Sequence, residues 1–132
     1  MIEELELEKL LLNSINTFVE QFNKFLDDSK KLVITYDEIF VLIDDDKYSI
    51  DVLSSGERHI FTFLSLIIID ERHRNFIFID EPEISLNMKW QRILMRLLSE
   101  LAPRTQIIVA SHSPMISKNM NDSLVALNVE QI

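Results

Sequence analysis

Three short runs in this chain end in residues that could do chemistry, and each follows a segment able to position them. Phe76-Ile77-Phe78-Ile79 drives a strand into a core and delivers Asp80-Glu81-Pro82 at its C-terminal end, where ligands bind in open parallel sheets. Asp80 is suited to hold a hard cation such as Mg²⁺ through water. Glu81 points elsewhere and is suited to orient or deprotonate an attacking water. The bland alternative is a strand that ends in a turn. Ile107-Ile108-Val109-Ala110 is a second apolar run, and it ends in Ser111-His112-Ser113-Pro114. His112 at that tip could contact a terminal phosphate or the water beside it, although a lone histidine at a strand end is more often a satisfied structural residue.

The third run, Leu53-Ser54-Ser55-Gly56-Glu57, opens a helix. Read structurally it is a capping box, with Ser54 capping the helix and Glu57 reaching back to it. The same arrangement makes an anion site, because hydroxyls, a close-approach glycine and the positive end of a helix converge. The two readings are compatible. Gly56 is also the only glycine in the chain. A phosphate-cradling P-loop needs at least two, ahead of a Lys-Ser/Thr pair, so none exists within these residues. The run Asp44-Asp45-Asp46 invites a metal reading, but consecutive side chains diverge, and a solvated turn is expected. His59 and His73 receive no role.

Composition narrows the partners. The 132 residues suit one domain with one core, and 47% are hydrophobic. A formal charge of −9 repels a polyphosphate backbone, and the 13 Lys and Arg are scattered. Nucleic acid is therefore expected only through a larger assembly. The apolar run from Phe61 to Ile69 is far short of the roughly 20 residues a membrane span requires. No membrane association is expected. The lack of cysteine is compatible with a reducing cytosol, and a cytoplasmic location is the default.

These runs need elements to carry them. Residues 3–26 read as an amphipathic helix, with Leu11, Ile15, Phe18, Val19, Phe22, Phe25 and Leu26 at three- and four-residue steps. It either covers the core or docks a partner, and the helical segment is bounded within 1–30. Residues 31–36, 39–43 and 47–52 look like short strands, with 44–46 as a turn. A capped helix over 57–71 runs into the strand 76–79, followed by a helix at 88–101 and a strand at 106–110. A short helix from about 114 and a strand at 124–127 complete the chain. Strands alternating with helices, and apolar on both faces, predict an α/β fold with a buried parallel sheet.

In this order, the three runs resemble the C-terminal half of an ATP-binding-cassette ATPase domain. Residues 53–57 look like its signature motif, with Ser55 where the commonest form has glycine, and 76–81 look like its Walker B strand with the catalytic glutamate. Residues 82–87 resemble the D-loop, and His112 stands at the switch-histidine position. Asp80-Glu81-Pro82-Glu83 and Ser111-His112-Ser113-Pro114 are similar to the soluble RecF-like, SMC-like and OLD-type ATPases of repair and anti-phage defence. The similarity covers residues 50–115, and the flanks more loosely.

The resemblance implies a partial P-loop NTPase fold using ATP and Mg²⁺. Ser54, Ser55 and Gly56 would bind the γ-phosphate of ATP held by another subunit, Asp80 would hold Mg²⁺, Glu81 would position water and His112 would sense the γ-phosphate. The family's P-loop lies ahead of its signature, yet the 52 residues ahead of Leu53 contain no glycine. Expected partners are therefore a P-loop-bearing half or a homodimer partner, the chain being a C-terminal lobe or a split subunit. An open sheet edge should promote association. The competing function is a non-catalytic assembly subunit that keeps the fold. A carboxylate-metal nuclease using Asp80, Glu81 and 44–46 is disfavoured by the net charge.

Overall fold

A computed structural model describes residues 1–69, 75–118 and 120–125. Helix α1 (Ile2–Asn23) carries Glu3 and Glu4 in its first turn, where carboxylates suit the helix dipole. Its C-terminal half meets the core: Phe18 and Phe22 stack with ring centroids 5.9 Å apart and receive Phe61 edge-on at 5.0 and 5.4 Å. The part of the helix ahead of Phe18 is largely exposed, including Leu11 and Ile15. The helix ends at Asn23, earlier than the expected 26 or 30. Phe25 and Leu26 are buried beyond it, in a turn rather than a helical turn. The Asn23 side chain accounts for the stop. Its amide donates to the Leu32 carbonyl at 3.1 Å and accepts the Leu32 N–H at 2.7 Å, bonding the helix end to the next strand.

Strands β1 (Lys30–Ile34), β2 (Ile39–Ile43) and β3 (Asp46–Tyr48) form an antiparallel meander. Ile43 pairs with Asp46, so Asp44 and Asp45 are a two-residue hairpin loop, and both have positive φ, 50° and 70°. This is the backbone of a tight twisted hairpin, in which aspartate is tolerated. Asp44 and Asp45 thus make the expected turn, while Asp46, expected within it, opens β3. The third strand is shorter than the expected 47–52, because Ser49 caps a 3₁₀ turn at Ile50–Val52 that redirects the chain.

Helix α2 (Ser55–Ile69) leads towards β4 (Phe76–Asp80), then α3 (Met88–Leu101) and β5 (Gln106–Ala110). Asn87 caps α3 by accepting the Trp90 N–H at 2.9 Å. The two strands pair in parallel, with Asp80 opposite Ala110. The fold is α/β, with a small parallel sheet beside an antiparallel one. One expectation is corrected. The parallel sheet is buried on one face only: Ile79 is packed with Leu64, Leu94 and Leu98, and Ile77, Ile107 and Val109 pack against that core, while Phe76, Phe78 and Ile108 are 57%, 68% and 39% exposed. An apolar run predicts two buried faces, but among the described residues no layer covers the second. Beyond β5 the chain makes turns at 114–118, where a helix was expected, and a 3₁₀ turn at Asn121–Ser123. Residues 124 and 125 have no regular structure, and the rest of the expected strand at 124–127 lies outside the described residues.

Candidate functional site

The parallel pairing of β4 and β5 brings Asp80, Glu81 and His112 to one end of the sheet. Glu81 leaves the strand with its N–H still bonded to the Ala110 carbonyl at 2.8 Å, and its φ is 46°. A left-handed backbone at a non-glycine residue costs on the order of 1–3 kcal/mol and redirects the side chain. Here it turns the Glu81 carboxylate towards the β5 tip, where His112 Nε2 lies 3.8 Å from Glu81 Oε1. The imidazole is 93% exposed and the carboxylate 43%, so both remain open to a ligand.

Asp80 is exposed at the strand end and lines a cavity of about 250 Å³ with His59, Phe63, Leu66, Ile67 and Phe78. Among the described residues no group of three or more His, Cys, Asp or Glu could hold a metal. Asp80 fits only as one carboxylate in a shell otherwise made of waters and substrate phosphates, which is how Mg²⁺ is usually bound beside nucleotides.

Ser54, Ser55 and Gly56 stand at the start of α2. The capping box is complete: Glu57 N–H donates to Ser54 Oγ at 3.2 Å, and Ser54 N–H donates to Glu57 Oε2 at 2.7 Å. Glu57 is only 5% exposed, and its charge is met by Lys30 Nζ at 3.0 and 3.2 Å. Ser54 and Ser55 are exposed, whereas Gly56 is buried. A Cβ at Gly56 would fall 2.4 Å from the Ser85 carbonyl oxygen and 3.0 Å from the Trp90 ring. Sequence reasoning gave this glycine to an approaching phosphate; inside the chain its bare backbone is used against the loop 81–87.

That loop was the part sequence reasoning undervalued. Pro82 is fully buried, Ser85 has φ 65°, and backbone bonds from Ile84 to Glu81 and from Leu86 to Glu83 fold the segment on itself. His59 Nδ1 lies 2.7 Å from the Ile84 carbonyl, which can only accept, so Nδ1 carries the proton. Its ring stacks on Phe63 at 5.4 Å. Gln91 donates to the Leu86 carbonyl at 2.8 Å and accepts the Ser113 hydroxyl at 2.6 Å. Glu83 Oε1 accepts the His112 N–H at 3.0 Å. Burial raises the Glu83 pKa, but its own N–H, the Ser111 hydroxyl and the N–H groups of His112 and Ser113 outweigh that and hold it below the ordinary carboxylate range. The available signal was Glu83 three residues after Asp80 in a turn; nothing in the sequence placed it beneath His112.

A family described as "AAA domain, putative AbiEii toxin, Type IV TA system" matches residues 3–117. The chain belongs to this family. It is 28% identical over 120 residues to a retron Vc95 probable ATPase of Vibrio cholerae serotype O1 biovar El Tor, covering 83% of this chain and 23% of that protein. It is also 32% identical over 60 residues to the Septu protein PtuA of Bacillus thuringiensis, covering 45% of this chain and 15% of that one. The chain thus spans under a quarter of the length of either relative. The SMC head domain from Thermotoga maritima superposes with a TM-score of 0.59 at 22% identity, over 80% of this chain and 38% of that domain. The fold is that of part of an ABC- or SMC-like ATPase domain, as the resemblance implied. No helix among the described residues is long and apolar enough to cross a membrane.

Proposed function

We propose that this domain supplies the signature, Walker B and switch-histidine half of an ATP-hydrolysing site, completed by a P-loop from another segment or chain. The observation that carries this reading is the convergence of Asp80, Glu81 and His112 at the ends of paired parallel strands, with His112 Nε2 3.8 Å from Glu81 Oε1. Asp80 would ligate Mg²⁺ through water, and the metal would neutralise charge developing on the transferred phosphoryl group. Glu81 would orient the attacking water, with His112 beside the γ-phosphate. The Ser55 hydroxyl and the Ser54 hydroxyl proton that the cap leaves free, with the opening N–H groups of α2, would meet the γ-phosphate of ATP bound on a second subunit. The buried Gly56 would serve that contact by fixing where the helix starts. A P-loop-bearing half or a second copy is the partner, and the setting is the cytoplasm. The family's toxin description and the retron and Septu relatives favour a bacterial defence system over DNA repair.

A second reading, a non-catalytic assembly subunit, draws support from Ser54 and Gly56, whose hydroxyl and bare backbone are both engaged within the chain. Phosphate release separates the two. The 132-residue chain alone should hydrolyse ATP no faster than buffer. Once a P-loop-bearing half is supplied, Glu81→Gln should abolish turnover and retain bound ATP, because the metal ligand Asp80 stays. Wild-type turnover in the complemented Glu81→Gln protein would leave the assembly reading standing.

A further inference from the structure

The loop 111–113 that presents His112 has no regular structure of its own, yet its backbone is bonded to a carboxylate from a different strand end. Glu83 Oε1 accepts the His112 N–H at 3.0 Å. Within the loop, Ser113 N–H donates to Ser111 Oγ at 3.0 Å, which leaves the Ser111 hydroxyl proton free to turn towards Glu83. Glu83 Oε2 is buried with no partner at hydrogen-bond geometry among the described residues, so the carboxylate retains acceptor capacity on the side away from solvent. A charged acceptor shielded from water makes a stronger bond than a neutral one.

The backbone on the Glu83 side is equally constrained. Glu81, two residues earlier, is tied to Ala110, and Leu86 N–H returns to the Glu83 carbonyl at 3.0 Å. Glu83 thus stands on a fixed base and reaches across to the residue after Ser111. The imidazole of His112 has no such support, being 93% exposed. What holds that ring near Glu81 is the direction of its own backbone, and the side chain found on that backbone N–H is Glu83.

From this geometry we infer that Glu83 is a positioning residue, which fixes the His112 backbone so that the imidazole faces Glu81. It touches neither water nor phosphate in the site proposed above, and the inference rests on that reading only for its effect on turnover. Glu81 faces the His112 imidazole at 3.8 Å, Gln91 accepts the Ser113 hydroxyl at 2.6 Å, and Arg92 reaches Met115, just past the loop. The His112 N–H is bonded to Glu83 Oε1, and the contacts of these three lie elsewhere on the segment.

The first test uses the 132-residue chain and needs no turnover. Amide hydrogen exchange at His112, read by NMR, should accelerate about tenfold in Glu83→Ala, because a hydrogen bond to a charged group is lost. Glu83→Gln keeps a carbonyl acceptor and should stay closer to wild type. Unchanged His112 exchange in a folded Glu83→Ala protein overturns the inference. The second test uses the P-loop-complemented assembly. Glu83→Ala should lower kcat more than it raises KM, and adding it to His112→Ala should cost nothing further, since both act through one group. Full additivity of the two losses also overturns it. If His112→Ala leaves kcat unchanged, the role proposed for His112 fails, and the exchange measurement still decides what Glu83 does.

Discussion

The Ser85 carbonyl oxygen lies 2.4 Å from where a Cβ on Gly56 would stand. Gly56 does not adopt positive φ, so the missing side chain, and not a special backbone conformation, is what this position requires. The start of α2 and the loop 81–87 are thereby pressed together, and His59 adds its bond to Ile84 one turn later. The motif that would face a second subunit and the loop that follows Glu81 form one packed unit within a single chain.

A substitution measures that packing directly. In an unhindered helix, Gly→Ala gains about 1 kcal/mol from helix propensity. At Gly56 the methyl meets backbone, which cannot swing aside, and overpacking of this kind costs about 1–3 kcal/mol. With the propensity gain subtracted, Gly56→Ala should destabilise the isolated chain by about 1 kcal/mol, lowering its thermal midpoint by roughly 4 °C. Gly56→Asp should do worse. A rise in midpoint for Gly56→Ala would mean that the loop yields freely and that the glycine serves something outside the chain.

The elements of this fold were legible where local chemistry sets them. The helix at 88–101 and the strand at 106–110 agree with the structure residue for residue, because Asn87 caps the first and a continuous apolar run makes the second. Asp44 and Asp45 read as a turn and are one. Periodicity failed where tertiary contacts decide. Phe25 and Leu26 continue the spacing of α1, yet the Asn23 bonds to Leu32 end the helix before them. An apolar strand reads the same whether one or two faces are covered, so the exposure of Phe76 and Phe78 was hidden. At the site, strand order was enough to bring Glu81 and His112 together. The Glu83 bond to the His112 backbone spans 29 residues and has no sequence signature.

Acid should act on the same bond. The Glu83 carboxyl titrates below the ordinary glutamate value of 4.5 in the folded chain. A depressed carboxylate contributes stability that is fully present above its unfolded pKa and is lost as pH falls through the folded one. The difference in unfolding free energy between wild type and Glu83→Gln should therefore be constant near neutrality. It should shrink only as pH drops through 4.5 and below. Denaturant titrations of both proteins across that range give the difference directly. A gap independent of pH would show that Glu83 contributes through packing rather than charge.

Two exposed apolar surfaces compete to explain any self-association of the isolated chain. One is the open sheet face with Phe76, Phe78 and Ile108; the other is α1 ahead of Phe18, with Leu11 and Ile15. The sheet face is the stronger candidate, because its two phenylalanines are held on a rigid strand with centroids 5.2 Å apart, and burying one such side chain is worth about 1.5–3 kcal/mol. Sedimentation of the chain should show mass rising with concentration. Phe78→Ser, which points away from the core, should weaken that association by roughly tenfold or more and leave the circular dichroism unchanged. Leu11→Ser with Ile15→Ser should have the smaller effect. If the α1 pair abolishes association and Phe78→Ser does not, the helix is the docking element. A monomer at every concentration would mean that neither surface is sticky enough to recruit a second copy, and the uncovered face would then have to be matched by another segment or a different chain.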